Sequence, residues 1–107
     1  AGFTTTVLTI TLSALMSTPE VHAFQSVKSL YTSKCAVCHG NDGKGATAKG
    51  KELKVRPFQD AEFKKMTDPK ALEIMLKGKG KMEGYEKTLG KEKVQELLAY
   101  CRELSNK

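Results

Sequence analysis

The 107 residues are 39% hydrophobic and 28% charged, the balance of one globular domain and not of a disordered chain. There is no Trp and no run of 18 apolar residues, which excludes a full-length membrane-spanning helix within this sequence. The net charge of +6 comes from 18 Lys and Arg against 12 Asp and Glu, with 16 of the basic residues Lys. Few aromatics interleave with those lysines and no reading motif is present, so nucleic acid is not expected as a partner. An acidic protein patch suits the charge better.

Residues 1–23 stand apart: they hold no Lys or Arg, one acid (Glu20) and a run of apolar residues and Thr from Val7 to Met16. With Val21-His22-Ala23 as a small-residue processing site, they read as the later part of a secretory signal peptide. The basic leading region and an initiator Met are missing, so a retained N-terminal extension is the alternative. Its Thr9-Ile10-Thr11-Leu12-Ser13 alternation would suit a strand as well as a helix. Either way the folded domain is expected over 24–107, exported or periplasmic, with membrane contact only if residues 1–23 are retained.

Phe24, Val27, Tyr31, Cys35 and Cys38 recur at steps of three and four, which predicts one helix ending near Gly40. Residues 40–57, rich in Gly and Lys, read as a loop closing on Pro57. A short helical turn is expected from Asp60 to Met66, with Phe63 and Met66 on one face. A further helix begins at Asp68-Pro69, with Asp68 as its cap, and stops at Gly78. Residues 78–90 form a glycine-rich loop around Met82 and Tyr85. The last helix spans about 91–104, with Val94, Leu97, Leu98, Cys101 and Leu104 as its apolar stripe. No strand is expected after residue 23, so the fold class is all-α.

The chemistry lies in Cys35-Ala36-Val37-Cys38-His39. On a helix, residues three or four apart share a face, so two thiols and an imidazole can meet one flat macrocycle together. That is the attachment pattern of haem c: each thiol adds across a vinyl group, and His39 ligates the iron. A thioredoxin-like redox pair needs a βαβ context that the chain lacks. A zinc site using Cys101 lacks a second close ligand pair. Cys101 itself, on an apolar stripe, reads as a buried core thiol.

Residues 24–107 resemble class I c-type cytochromes of the small bacterial monohaem type. The resemblance rests on Cys-x-x-Cys-His after an amphipathic helix, Gly43-Lys44-Gly45, Gly78-Lys79-Gly80-Lys81-Met82, and Leu97-Leu98-Ala99-Tyr100. It implies three to four short helices wrapped around one covalent haem, with Val27 and Tyr31 packed against Leu97 and Tyr100. It also implies Met82 as the second axial ligand. Met82 follows His39 by 43 residues, chain enough to reach the opposite haem face, whereas Met66 and Met75 lie on apolar helical stripes. Glu83 departs from the pattern, since relatives often have Pro there. Pro57 is the candidate carbonyl acceptor for the His39 ring N–H, and Arg56 a candidate partner for a haem propionate.

The resemblance further implies a single-electron carrier with His39 and Met82 on the iron, working between redox proteins. With both axial positions filled, no iron site is left for a substrate, so an enzyme is not expected. A fixed relay subunit of a larger redox complex and a gas-binding haem protein are the alternatives. Lys77, Lys79, Lys81 and Lys87 flank Met82 in sequence and are expected to steer a partner with an acidic docking patch.

Overall fold

The computed structural model describes residues 2–14 and 19–107, with the backbone alone for 19–25. Among these residues there are six helices and no strand, apart from an isolated bridge between Lys79 and Met82. The chain is thus all-α as expected, with more helices than the three to four anticipated. Residues 2–14 form neither helix nor strand and are exposed, so the Thr9–Ser13 alternation is realised as neither. Residues 15 and 16 of the apolar run lie outside the described residues.

The first helix, α1 (Pro19–Lys34), starts five residues earlier than its apolar stripe indicated. Pro19 opens it, a position where a missing N–H costs nothing. Val21-His22-Ala23 therefore falls within helical backbone, its side chains outside the described residues. The expected single helix breaks at Cys35 (φ −117°, ψ −35°) and resumes as α2 (Ala36–His39), which ends at Gly40 (φ 79°). Val27 and Tyr31 are buried, and Ser26, Lys28, Ser29 and Ser33 face solvent, as the periodicity demands.

The segment read as an unbroken loop contains α3 (Ala48–Leu53), capped by the Thr47 side chain accepting from the Gly50 N–H. Short length and a central glycine hid it. Gly50 is required by contact: a Cβ there would lie 2.3 Å from the Cys38 carbonyl oxygen and 2.4 Å from that of Gly45. α3 is therefore pressed onto the end of α2. The turn expected at 60–66 is α4 (Ala61–Lys65), with Phe63 and Met66 half-buried.

α5 (Asp68–Lys77) is capped by the Thr67 hydroxyl, which accepts from the Lys70 N–H, and not by Asp68. Asp68 instead pairs with Arg102 at 3.0 Å. Thr67 precedes Pro69 by two residues and so holds the true cap position. α6 (Glu86–Ser105) opens with one turn, kinks at Gly90, and continues as the long helix expected from residue 91. Val94, Leu97, Leu98, Cys101 and Leu104 are all buried. Val27, Tyr31, Ala36, Phe58, Leu97, Cys101 and Leu104 form one cluster, so α1 and α6 share the core. The Tyr31 and Tyr100 rings lie 5.0 Å apart at that contact.

Candidate functional site

Cys35, Cys38 and His39 occupy the turn from the break after α1 to the end of α2. All three are half-buried, and both thiols are free. Burial, with Cys38 adding to it, raises the Cys35 pKa to about 11, so it is held as the thiol. Burial lowers the His39 pKa, which keeps the imidazole neutral with a lone pair to give.

The turn is fixed from three sides. The Tyr31 hydroxyl donates to the Gly40 carbonyl at 2.7 Å, tying α1 to the residue after His39. The Thr47 hydroxyl reaches the carbonyls of Val37 (2.8 Å) and Cys38 (3.2 Å). Phe58 stacks on the His39 ring, with centroids 4.8 Å apart and planes 19° from parallel. Phe63 packs on Phe58 in turn, and the Arg102 guanidinium lies 4.3 Å above the Phe63 ring. Arg102 also donates to the Phe63 and Met66 carbonyls. An aromatic stack thus runs from His39 to a cation on α6. The sequence reading missed Phe58 and Arg102, since only folding brings these segments together.

One expected partner is placed otherwise. The Pro57 carbonyl accepts from the Asp60 N–H, while Nδ1 of His39 is buried with no protein partner. The long interval between His39 and Pro57 is absorbed by α3, which leaves that carbonyl to cap the next turn. Arg56 is paired with Glu62 and Asp60, so its charge is already engaged.

Met82 is half-buried in a hairpin turn, where Lys79 and Met82 exchange two backbone hydrogen bonds of 3.0 Å. Gly78 (φ 85°) begins this loop, and a Cβ there would lie 2.7 Å from the Met82 carbonyl. The loop closes where the Tyr85 N–H donates to the Met75 carbonyl at 3.0 Å. The Tyr85 hydroxyl donates to the Lys34 carbonyl at 3.1 Å, directly before Cys35. Cys35 and Cys38 are close enough to contribute, after burial and Glu83, to raising the Tyr85 pKa to about 12. The Met82 loop and the cysteine turn are therefore neighbours. Met75 packs against the core cluster and Met66, directly after α4, is half-buried.

The cytochrome C oxidase, cbb3-type, subunit III family matches residues 22–101, a span that includes Cys35 to His39 and Met82. The chain belongs to this family. It is also similar to a solved structure, the KustC0563 c-type cytochrome, at 33% identity and a TM-score of 0.66. That alignment covers 72% of this chain and 94% of the other. No match was found among curated proteins. The chain is accordingly a small c-type cytochrome of class I type that carries covalently bound haem c with its iron and transports electrons between redox partners.

The residues present fit that group. Two free thiols and a neutral imidazole lie on one turn, the donor set that covalent haem c requires. Cys101 is buried in the core, and burial pushes its thiol pKa well up, so it is an inert packing residue as expected.

Proposed function

We propose that Cys35 and Cys38 hold the haem as thioethers, that His39 and Met82 are its axial ligands, and that the protein is an exported single-electron carrier and not an enzyme. The observation that carries this reading is the Tyr85–Lys34 hydrogen bond of 3.1 Å, which spans 51 residues of sequence. It docks the loop bearing Met82 beside the turn bearing both cysteines and His39.

Cys35 and Cys38 would hold the group by addition of each S–H across a vinyl double bond, a step with no change in electron count. Bound haem supplies the one-electron iron couple, and His with Met favours a raised potential. The chain's own work is to hold the ligands. Tyr31 and Thr47 fix the cysteine turn, Phe58 orients the imidazole, and the closed Gly78–Tyr85 loop presents a thioether. Lys79, Lys81 and Lys87 are exposed and make no ion pair among the described residues, whereas Lys77 is engaged by Glu86 at 2.6 Å. Three of the four expected steering lysines thus remain available for an acidic docking patch.

Acid–acetone extraction should leave the haem on the polypeptide and remove it from the Cys35→Ser, Cys38→Ser variant. Met82→Ala should lose the red charge-transfer absorbance of the ferric form, lower the potential, and let carbon monoxide bind the ferrous form. A Met82→Ala protein with unchanged spectrum and potential refutes Met82 as ligand and turns attention to Met75 or Cys101.

The family description favours a second reading, a relay subunit fixed in a larger redox complex. The exposed apolar side chains of Phe3, Val7, Leu8, Ile10 and Leu12 add a surface for such attachment, to a membrane or to another subunit. Co-migration of the native protein with a larger assembly would establish it. A single small species with an intact mass beginning after residue 23 would establish the exported carrier.

A further inference from the structure

Tyr85 does more than close a loop. Its hydroxyl has one proton and two acceptors: the Lys34 carbonyl at 3.1 Å and a Glu83 carboxylate oxygen at 3.2 Å. Both distances exceed the usual 2.7–2.8 Å of an O–H···O bond, as expected for a proton shared between two sites. The two acceptors differ in consequence. Lys34 belongs to α1 and adjoins Cys35, so a bond to it ties the Met82 loop to the cysteine turn. Glu83 belongs to the loop itself, so a bond to it ties the loop to nothing outside.

We infer that Tyr85 is a latch holding the Met82 loop closed on the segment before Cys35, and that Glu83 competes for its proton and so sets how often the loop opens. This deepens the reading of Met82 as axial ligand and rests on it. Several features make the hydroxyl suited to the role. Tyr85 is half-buried, and its raised pKa keeps the proton in place across ordinary pH. Its backbone is fixed on both sides, by its N–H on the Met75 carbonyl and by its carbonyl accepting from Leu89 at 2.9 Å. The ring therefore has a rigid base from which to reach Lys34. A carboxylate is the stronger acceptor of the two, which gives the competition its force.

The two residues therefore have opposite predicted effects. In the haem-loaded protein, Tyr85→Phe should raise the rate of carbon monoxide binding to the ferrous form about threefold, the loss of one partly exposed hydrogen bond. Glu83→Gln should lower that rate, because the amide leaves the phenol proton to Lys34. In the Tyr85→Phe background Glu83→Gln should have no effect, which a purely structural or charge role for Glu83 would not give. Hydrogen exchange at the Met82 and Tyr85 amides should follow the same order in each variant. Unchanged binding rate and exchange in Tyr85→Phe overturn the latch while leaving Met82 as ligand. An effect of Glu83→Gln that persists without the Tyr85 hydroxyl overturns the competition. If Met82→Ala shows that Met82 is not the ligand, the gating consequence falls, and exchange alone then decides whether the latch exists.

Discussion

Tyr31 has its ring wholly buried in the core and its hydroxyl on the backbone of Gly40. Burial raises its pKa far beyond the ordinary tyrosine value, so the proton stays on oxygen and the bond persists at any pH the fold survives. Tyr31→Phe keeps the packing and removes only that donor, leaving the buried Gly40 carbonyl with the Gly43 N–H at 3.1 Å as its remaining partner. That should cost about 1 kcal/mol, read as a lower denaturation midpoint with unchanged slope. A variant as stable as the wild type would mean that water replaces the hydroxyl. Arg102 belongs to the same scale of description: one side chain binds Asp68, two backbone carbonyls and the face of Phe63. Through Phe63 and Phe58 it supports the imidazole from across the molecule.

Among the elements, α3 is the least conspicuous in the sequence and among the most consequential for the site. Its Thr47 cap also holds the Val37 and Cys38 carbonyls, and its Gly50 touches backbone at both Cys38 and Gly45. Gly50→Ala should therefore destabilise by about 3 kcal/mol or more and lower the yield of haem-loaded protein. Equal stability and loading would show that α3 can lift away from α2 freely. The apolar stripes of α1 and α6 were legible because a 3.6-residue period survives in any sequence that packs a helix face. So was the Cys35–His39 turn, because its spacing is itself the chemistry. α3 was not legible: six residues with a central glycine carry no period, and what selects that glycine is the carbonyls of Cys38 and Gly45, brought against it only by folding. The Pro57 assignment was not legible for a related reason: once α3 and α4 have formed, its carbonyl accepts from the nearer Asp60 N–H and not from His39.

For the whole molecule, the net charge of +6 is less a uniform field than its lysine count implies. Lys49, Lys70, Lys77 and Lys93 each pair with a nearby glutamate, so their contribution at a distance is reduced. Lys79, Lys81 and Lys87 keep theirs. Exposed charges act over roughly 8 Å at physiological salt, so their effect belongs to encounter and not to the iron. Reversing Lys81 and Lys87 to Glu should slow electron transfer to an acidic partner several-fold at low salt, with little change in potential. Stopped-flow rates across a salt series provide the measurement. Wild-type rates that do not fall as salt rises would remove the case for steering.

The segment from Gly78 to Tyr85 has its two ends secured by bonds of its own, at Lys79–Met82 and at Tyr85–Met75. At its tip, Gly80 turns at φ 58°, which favours glycine there, while the flanking Lys79 and Lys81 are exposed. The loop is in that sense a cassette. Its rim can change in sequence, and with it the surface shown to a partner, while the core formed by α1 and α6 keeps its register. Partner choice and folding are thereby written in separate stretches of the same short chain, and a lineage could revise one without reopening the other.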